Sequence, residues 1–374
     1  MRTATELLQR ISNDDLLGLK SDKRNCLTGV LDFLRSNIPR KVYARNKRDE
    51  YISIWQWVGD VFQKQNRFHE ANAVFGSLYQ ELTSAQIEGY CYIPKGTPLV
   101  LIHDNRVKLN QPWLAHRFMI YTIIEDAISF RGKINPNKVG SYSRAVSFHN
   151  INDRIFNLLA KKAYGIYTSN RYMGKFPEWV FLNLMETTIG SCIPVRYPSN
   201  DEKEISPINQ PFARFWFDKI LSEKRKRGSS LEDFSAYLLW CMPGFEVQRR
   251  VPAQDSHFDA LVRNKSNASD FRSDLGNYIL SESKNWSNPI GPQEIAYFAA
   301  KLLFHDVRSG VIFSQKGITG EGEAKNAALT LLKSFYKIGR IIMIINKKDI
   351  NEAVERRGLV SLFQSKYEST KFTL

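Results

Sequence analysis

The sequence predicts a multidomain protein in which a mainly α-helical N-terminal region precedes a C-terminal α/β domain with a central mixed sheet. Three observations lead to this fold class. The chain has 374 residues, which is more than one ordinary hydrophobic core accommodates. Apolar residues recur at three- and four-residue spacing as far as Thr83, as amphipathic helices require. Beyond Gly228, strand-like runs alternate with helical patterns, and such alternation produces a sheet covered by helices.

The first recognisable element is a helical hairpin at residues 52–83. Its sequence, WQWVGDVFQKQNRFHEANAVFGSLYQEL, resembles one tetratricopeptide repeat of the pattern W-x2-L-G-x2-Y…A-x3-F. The matching residues are Trp55, Val58, Gly59, Phe62, Ala71, Phe75 and Leu78. The small residues Gly59 and Ala71 would let the two helices approach closely, with aromatic residues filling the groove. No second clear copy follows, so an ordinary helical hairpin remains the alternative.

The rest of the N-terminal region is less regular. A short apolar run, TPLVLIHD, precedes a helix in PWLAHRFMIYTIIEDAISF, and Gly132–Ser147 is predicted to be a loop because it is rich in Gly, Asn, Ser and Pro. Helices are predicted at Asn152–Tyr167, Pro177–Met185 and Phe212–Glu223, with a surface connector at Pro194–Pro211. The KRKRGSS segment is the predicted boundary, which gives domains at 1–220 and 228–374. Two subdomains within the first are an alternative.

The C-terminal block is predicted to have the order α-β-β-β-α-β-α-β. Its first helix, in SSLEDFSAYLLWCM, opens with a Ser229-x-x-Glu232 capping box. Strands are predicted in FEVQRRV, HFDALVRN, NYILSESKN, GVIFS and RIIMIIN, and the last is apolar enough to be buried. Helices are predicted in GPQEIAYFAAKLLFHD and EGEAKNAALTLLKSFY.

The chain is strongly basic, and the excess lies mainly in the N-terminal region. Its net charge is +15; residues 1–227 hold 34 Lys and Arg against 22 Asp and Glu, whereas residues 228–374 hold 19 against 16. Such an excess favours a polyanionic partner, most often nucleic acid. Two basic clusters, Arg35–Arg48 and Lys224–Arg227, are either phosphate-binding surfaces or ordinary solvated segments.

The sequence predicts neither a membrane protein nor a secreted one. No run approaches the roughly 18–20 apolar residues that span a bilayer, and the amphipathic, partly acidic N-terminus is unlike a secretory signal. The four cysteines are scattered, without a CxxC pair or a Cys/His cluster, so neither a disulfide framework nor a structural zinc site is expected. The expected location is the cytoplasm.

Three residues on the second and third C-terminal strands form the candidate active site. Glu282 and Lys284 are two residues apart on one strand, so their side chains project to the same face. Pairing with the preceding strand would bring Asp259 beside them. Two carboxylates suit the oxygen coordination of Mg²⁺, with Mn²⁺ as the alternative ion. Lys284 would then stabilise developing charge or position an attacking water.

These motifs resemble those of the PD-(D/E)xK nuclease superfamily, and residues 228–374 resemble its Mrr-like restriction-endonuclease branch. The segment SESKNWSNPIGPQEI is similar to the VECKNW-type segment of that branch, and GSSLE to its G-x-x-L-E motif. By resemblance, Glu232 is an accessory acidic residue, although the capping box alone would also explain it. The usual Pro before the first Asp is absent, because His257-Phe258 precedes Asp259, and this leaves Asp255 as a weaker rival ligand.

A further resemblance concerns Gln293 and Tyr297, which match the Q-x3-Y pattern of recombination-type nucleases in the same superfamily. They share one helix face and are expected to face the active site. Plain helix-surface residues are the alternative.

The resemblance implies a Mg²⁺-dependent phosphodiesterase acting on DNA, with RNA as the alternative polymer. The pairing with a basic helical region suggests restriction or antiviral defence. That region would select a target, a protein partner or a second copy of the chain. The rival interpretation is a non-catalytic repeat-type scaffold or DNA-binding protein in which the nuclease fold is vestigial.

Overall fold

A computed structural model describes residues 3–18, 26–43, 48–89, 92–133, 140–169, 176–185, 205–222, 228–252, 257–266, 270–284, 289–318, 322–356 and 358–373. Contacts divide the chain into two compact units, one ending at Leu184 and the other covering Val195–Leu374. Within these described ranges, no helix is both long and apolar enough to cross a membrane.

The division between the units falls earlier than the predicted domain boundary. Helix Gln210–Ser222 belongs to the second unit, because Phe212 and Trp216 pack against aromatic residues of the following helix, Tyr237 and Phe234. This helix therefore does not belong to the 1–220 region predicted from the sequence. The basic segment predicted as the boundary, Lys224–Arg227, lies outside the described residues, as do residues 194–204 of the predicted connector.

All regular secondary structure in the described residues of the first unit is helical. Its helices are α1 (Ala4–Asn13), α2 (Leu27–Asn37), α3 (Arg48–Lys64), α4 (Phe68–Gly89), α5 (Gly96–Lys108), α6 (Pro112–Ser129), α7 (Gly140–His149), α8 (Asp153–Ser169) and α9 (Pro177–Met185). The apolar run TPLVLIHD therefore lies within α5. A 3₁₀ turn at Arg40–Val42 leads toward α3.

Helices α3 and α4 form the predicted hairpin, and Gly59 sets how closely they pack. A Cβ atom at Gly59 would lie 2.2 Å from Cε1 of Phe75, so only glycine accommodates the aromatic ring at this position. Trp55 is fully buried and donates a 2.9 Å hydrogen bond to the hydroxyl of Tyr43. The turn between the helices places Asn66 in the left-handed region, with φ of 59°, which asparagine tolerates better than most residues.

Residues 140–147 of the loop predicted at Gly132–Ser147 are helical instead, because α7 begins at Gly140, and residues 134–139 lie outside the described residues. Tertiary contacts hold this Ser- and Gly-rich segment in a helix. The hydroxyl of Ser141 donates to Asp126, and Arg144 binds Asp104 through two hydrogen bonds of 2.7 and 2.6 Å. The loop was predicted from the composition of the segment itself, which carries no information about these partners elsewhere in the chain.

The second unit contains the predicted strands and helices in the predicted order, with additional helices between and after them. Its bounds are α10 (Gln210–Ser222), α11 (Gly228–Trp240), β1 (Phe245–Pro252), β2 (His257–Asn264), α12 (Phe271–Asp274), β3 (Tyr278–Lys284), α13 (Pro292–Phe304), β4 (Ser309–Ser314), α14 (Gly322–Lys337), β5 (Ile341–Asn346), α15 (Lys347–Arg356) and α16 (Leu359–Glu368), followed by a short π-helical segment at Ser369–Thr373. The sequence analysis did not predict α12, α15 or α16.

The five strands form one mixed sheet in the order β1-β2-β3-β4-β5, as the predicted central mixed sheet requires. Strands β1, β2 and β3 are antiparallel neighbours, whereas β3, β4 and β5 are parallel. Strand β4 is buried along its whole length and β5 over all but its last residue, in agreement with the apolar character of RIIMIIN. Helix α11 contacts β1–β3, and the core against α13 and α14 includes Leu280, Phe298 and Leu332.

Candidate active site

Strands β2 and β3 stop pairing where the candidate acidic residues begin. The last pair of their ladder is Ala260 with Ser281, and the next residues outward are Asp259 and Glu282. Instead of continuing the ladder, Oδ2 of Asp259 accepts a 2.6 Å hydrogen bond from the backbone N–H of Ser283. The Asp259 carboxylate is therefore attached to the strand that carries Glu282 and Lys284.

The surroundings of Asp259 favour its protonated form. Burial is the largest cause of a net increase in the pKa of this carboxyl from 3.8 to about 6. The negative charge of Glu232 on α11 adds to the increase, and that of Glu282 adds a smaller part. The hydrogen bond from Ser283 and the positive charge of Lys284 oppose it. The predicted residues Glu232, Asp259, Glu282 and Lys284 thus form one electrostatically coupled group.

Two lysines hold Glu282, whose side chain is almost completely buried. Lys301 on α13 binds Oε1 of Glu282 in a very short ion pair, and Nζ of Lys284 lies 3.0 Å from Oε2. The Lys284 contact has the distance of an ion pair but not the alignment of a hydrogen bond. The structure therefore brings Lys284 to the predicted carboxylate and adds a second lysine that the sequence analysis did not identify.

Glu232 is placed near the site rather than at a helix cap. Helix α11 begins at Gly228, so Ser229 lies inside its first turn and not at the N-cap position that the predicted capping box requires. Oε2 of Glu232 is 3.9 Å from Nε of Arg250 on β1. The electrostatic coupling of Glu232 to Asp259 is the observation that links it to the predicted accessory position.

The remaining predicted residues have different surroundings. Tyr297 is 59% exposed on α13, and Nζ of Lys301 lies 4.8 Å from the centre of its ring, which places Tyr297 beside the group around Glu282. Gln293 is exposed one turn earlier on the same helix. Asp255, the rival ligand, lies outside the described residues.

Arg250 is a second residue near the site that the sequence analysis did not identify. It lies between the paired residues Arg249 and Val251 of β1, in the left-handed region with φ of 47°. A non-glycine residue in this region within a strand is strained by roughly 1–3 kcal/mol. Its guanidinium is half-exposed and reaches Asp233 at 3.1 Å as well as Glu232. A left-handed arginine has no signature in the sequence.

The donor set fits a divalent cation, although the geometry is not that of a preformed site. Among the described residues, no group of three or more His, Cys, Asp or Glu side chains is arranged to hold a metal ion. Two features of the site nevertheless suit a divalent cation. Oε2 of Glu282 is buried without a hydrogen bond, and the charge of Glu232 acts on Asp259 across the same region. A cation at Asp259 and Glu282 would relieve this repulsion.

The basic cluster predicted at Arg35–Arg48 is partly neutralised in the structure. Arg40 binds Glu81 and Glu88 of α4, both at 2.7 Å, and Arg35 donates a hydrogen bond to Ser77. Lys41 is exposed, and residues 44–47 lie outside the described ranges. The part of this cluster available to a phosphate backbone is therefore smaller than its composition indicates.

Comparisons of the chain with known protein families, with curated proteins and with solved structures find no match.

Proposed function

We propose that the second unit is a divalent-metal-dependent nuclease of the PD-(D/E)xK type that hydrolyses DNA. One observation carries the proposal: Asp259, Glu282 and Lys284 come together at the point where β2 and β3 stop pairing in a mixed sheet. Two carboxylates and a lysine in this order along two adjacent strands match the motif that the sequence analysis identified. The net charge of +15 supports a nucleic-acid substrate.

Asp259 and Glu282 are the residues that would hold Mg²⁺ or Mn²⁺. The ion would supply Lewis-acid polarisation of the scissile phosphate and of the attacking water. Lys284 contributes a positive charge next to Glu282, where it stabilises the negative charge that develops on the phosphate. Glu232 increases the negative potential at Asp259, which strengthens the attraction for a cation.

The alternative is a vestigial nuclease fold in a scaffold or DNA-binding protein. The ion pairs of Glu282 with Lys284 and Lys301 favour this alternative, because they neutralise the carboxylate without any metal. A role in restriction or antiviral defence belongs to the catalytic proposal and not to this alternative.

Cleavage assays separate the two. Purified full-length protein is incubated with plasmid DNA, linear DNA and RNA, with and without Mg²⁺ or Mn²⁺. We expect metal-dependent cleavage of DNA, and we expect Lys284→Ala to reduce its rate by about 10²–10³-fold, because a charge-stabilising group is lost. Lys366→Ala is the matched control, since Lys366 on α16 pairs with Asp349 on α15 at 2.6 Å, and neither residue lies on a strand that carries the site.

Three results would count against the proposal. Absence of metal-dependent cleavage of any substrate supports the vestigial fold. Cleavage of RNA but not of DNA would mean that RNA is the substrate. Cleavage by Lys284→Ala at the wild-type rate would place the active site elsewhere.

A further inference from the structure

Lys301 spans the opening between the two strands that carry the candidate ligands. It lies on α13, and its side chain is only 11% exposed. Its Nζ binds Oε1 of Glu282 on β3 and donates a 3.3 Å hydrogen bond to the carbonyl oxygen of His257 on β2. His257 is two residues from Asp259, so one ammonium group connects both sides of the site.

The position of Lys301 is fixed by the packing of α13 on the sheet. Phe298, one turn earlier, is fully buried and lies against Gly310 of β4, where an added Cβ would be 2.4 Å from its ring. This close approach holds α13 next to the sheet. The ammonium of Lys301 also lies 5.8 Å from the ring centre of Phe258 and 4.8 Å from that of Tyr297, distances at which aromatic rings attract a cation.

We propose that Lys301 competes with the divalent cation for Glu282 and is a positioning residue of the site. The inference rests on the proposed nuclease function. A carboxylate oxygen in such close contact with an ammonium group presents its lone pairs to that group, and a second cation nearby is repelled. Of the two lysines, Lys301 is the one that donates a hydrogen bond to Glu282, and it reaches Glu282 from a different element.

Coordination of the metal by Oε1, or by both oxygens of Glu282, therefore requires the ammonium of Lys301 to withdraw from Oε1. The ring of Tyr297, which is 59% exposed and 4.8 Å from the ammonium, offers the displaced group a second favourable contact. In the absence of metal, Lys301 keeps Glu282 neutralised and connected to β2. It thereby sets the metal concentration at which the site fills.

Titration calorimetry with Mn²⁺ on the full-length protein tests this proposal without relying on activity. We expect Lys301→Met to bind Mn²⁺ about tenfold more tightly than the wild type, because it removes the competing charge. Methionine keeps the length and apolar stem of the side chain. Lys301→Arg keeps the charge and should retain the wild-type affinity, and so should the control Lys366→Met. Circular dichroism verifies folding, and Lys301→Gln replaces the Met variant if that variant is unfolded.

The outcomes distinguish this inference from the proposed function. Equal or weaker binding by Lys301→Met, with binding by the wild type that Glu282→Gln abolishes, overturns the competition and leaves the metal site intact. Absence of Mn²⁺ binding in the wild type and in every folded variant overturns both. If Glu282→Gln binds Mn²⁺ with wild-type affinity, Glu282 is not a metal ligand, and the proposed competition is then also wrong.

Discussion

Replacing Asp259 by asparagine should stabilise the metal-free protein at neutral and alkaline pH. The carboxylate at this position is disfavoured by burial and by the charges of Glu232 and Glu282. Asparagine removes the charge, while its side-chain oxygen can still accept the hydrogen bond from the N–H of Ser283. A residue proposed to hold the metal is thus expected to destabilise the fold in the absence of the metal.

The magnitude follows from the pKa of Asp259. A carboxyl whose pKa is about 6 in the folded chain, against 3.8 ordinarily, binds more protons when folded. The free energy of unfolding therefore decreases as the pH rises from 3.8 to about 6, and the decrease is complete above the higher value. The difference in pKa corresponds to about 3 kcal/mol. The free energy of unfolding of Asp259→Asn should not show this decrease, because asparagine does not titrate.

Urea unfolding at a series of pH values measures the effect. Hydrogen-exchange mass spectrometry of peptides from β2 and β3 measures the stability of the second unit separately from that of the first. Asp306→Asn is the matched control, because its carboxylate is 89% exposed and paired with Arg340. We expect the difference between wild type and Asp259→Asn to be small near pH 4 and to grow to about 3 kcal/mol above pH ~7. Added Mn²⁺ should reduce the difference, because it stabilises only the wild type.

Parallel pH profiles of the two proteins would refute this reasoning. They would mean that Asp259 is as well solvated in the folded chain as in the unfolded one. A less stable Asp259→Asn protein at pH 8 would mean that the carboxylate is stabilising, with Lys284 outweighing burial and the two glutamates.

Two further predictions concern the helical unit. Gly59→Ala should cost roughly 1–3 kcal/mol in the free energy of unfolding, because the added Cβ would overlap the ring of Phe75; Gly76→Ala, with nothing within 4 Å of its Cβ, should be neutral or stabilising, and thermal denaturation compares them. If the basic cluster contacts DNA, Lys41→Gln should lower the slope of log affinity against log salt by about 0.9 for one lost phosphate contact. Arg40→Gln should leave that slope unchanged, since two glutamates of α4 already bind Arg40; equal effects would contradict this.

The sequence predicted the second unit well because its signals are local. Strands β4 and β5 are short apolar runs rich in β-branched residues, β2 alternates buried and less buried positions, and each intervening helix has an apolar stripe. Alternation along β3 placed Glu282 and Lys284 on one face, and the structure brings both to one ion pair. Asp259 required one further assumption, that β2 and β3 are neighbours, which the sheet order confirms.

What the sequence did not predict depends on contacts between elements. Lys301 follows Tyr297 at the same four-residue spacing that separates Tyr297 from Gln293, so its position on that helix face was available in the sequence. Its ion pair with Glu282 depends on how closely α13 packs on the sheet, which Gly310 determines. Helix α7 was missed for a similar reason, because Asp104 and Asp126, which hold it, are distant in sequence.

The two lysines around Glu282 also determine whether the protein can fold without an added ion. A carboxylate with 3% of its surface exposed would be costly to bury without compensating charge. Here the chain carries its own counter-ions, one on the same strand and one on α13. The burial of Glu282 therefore does not depend on an added ion, unlike small metal-dependent domains that remain unfolded without their ion. Under the proposed function, metal availability would then control activity and not folding.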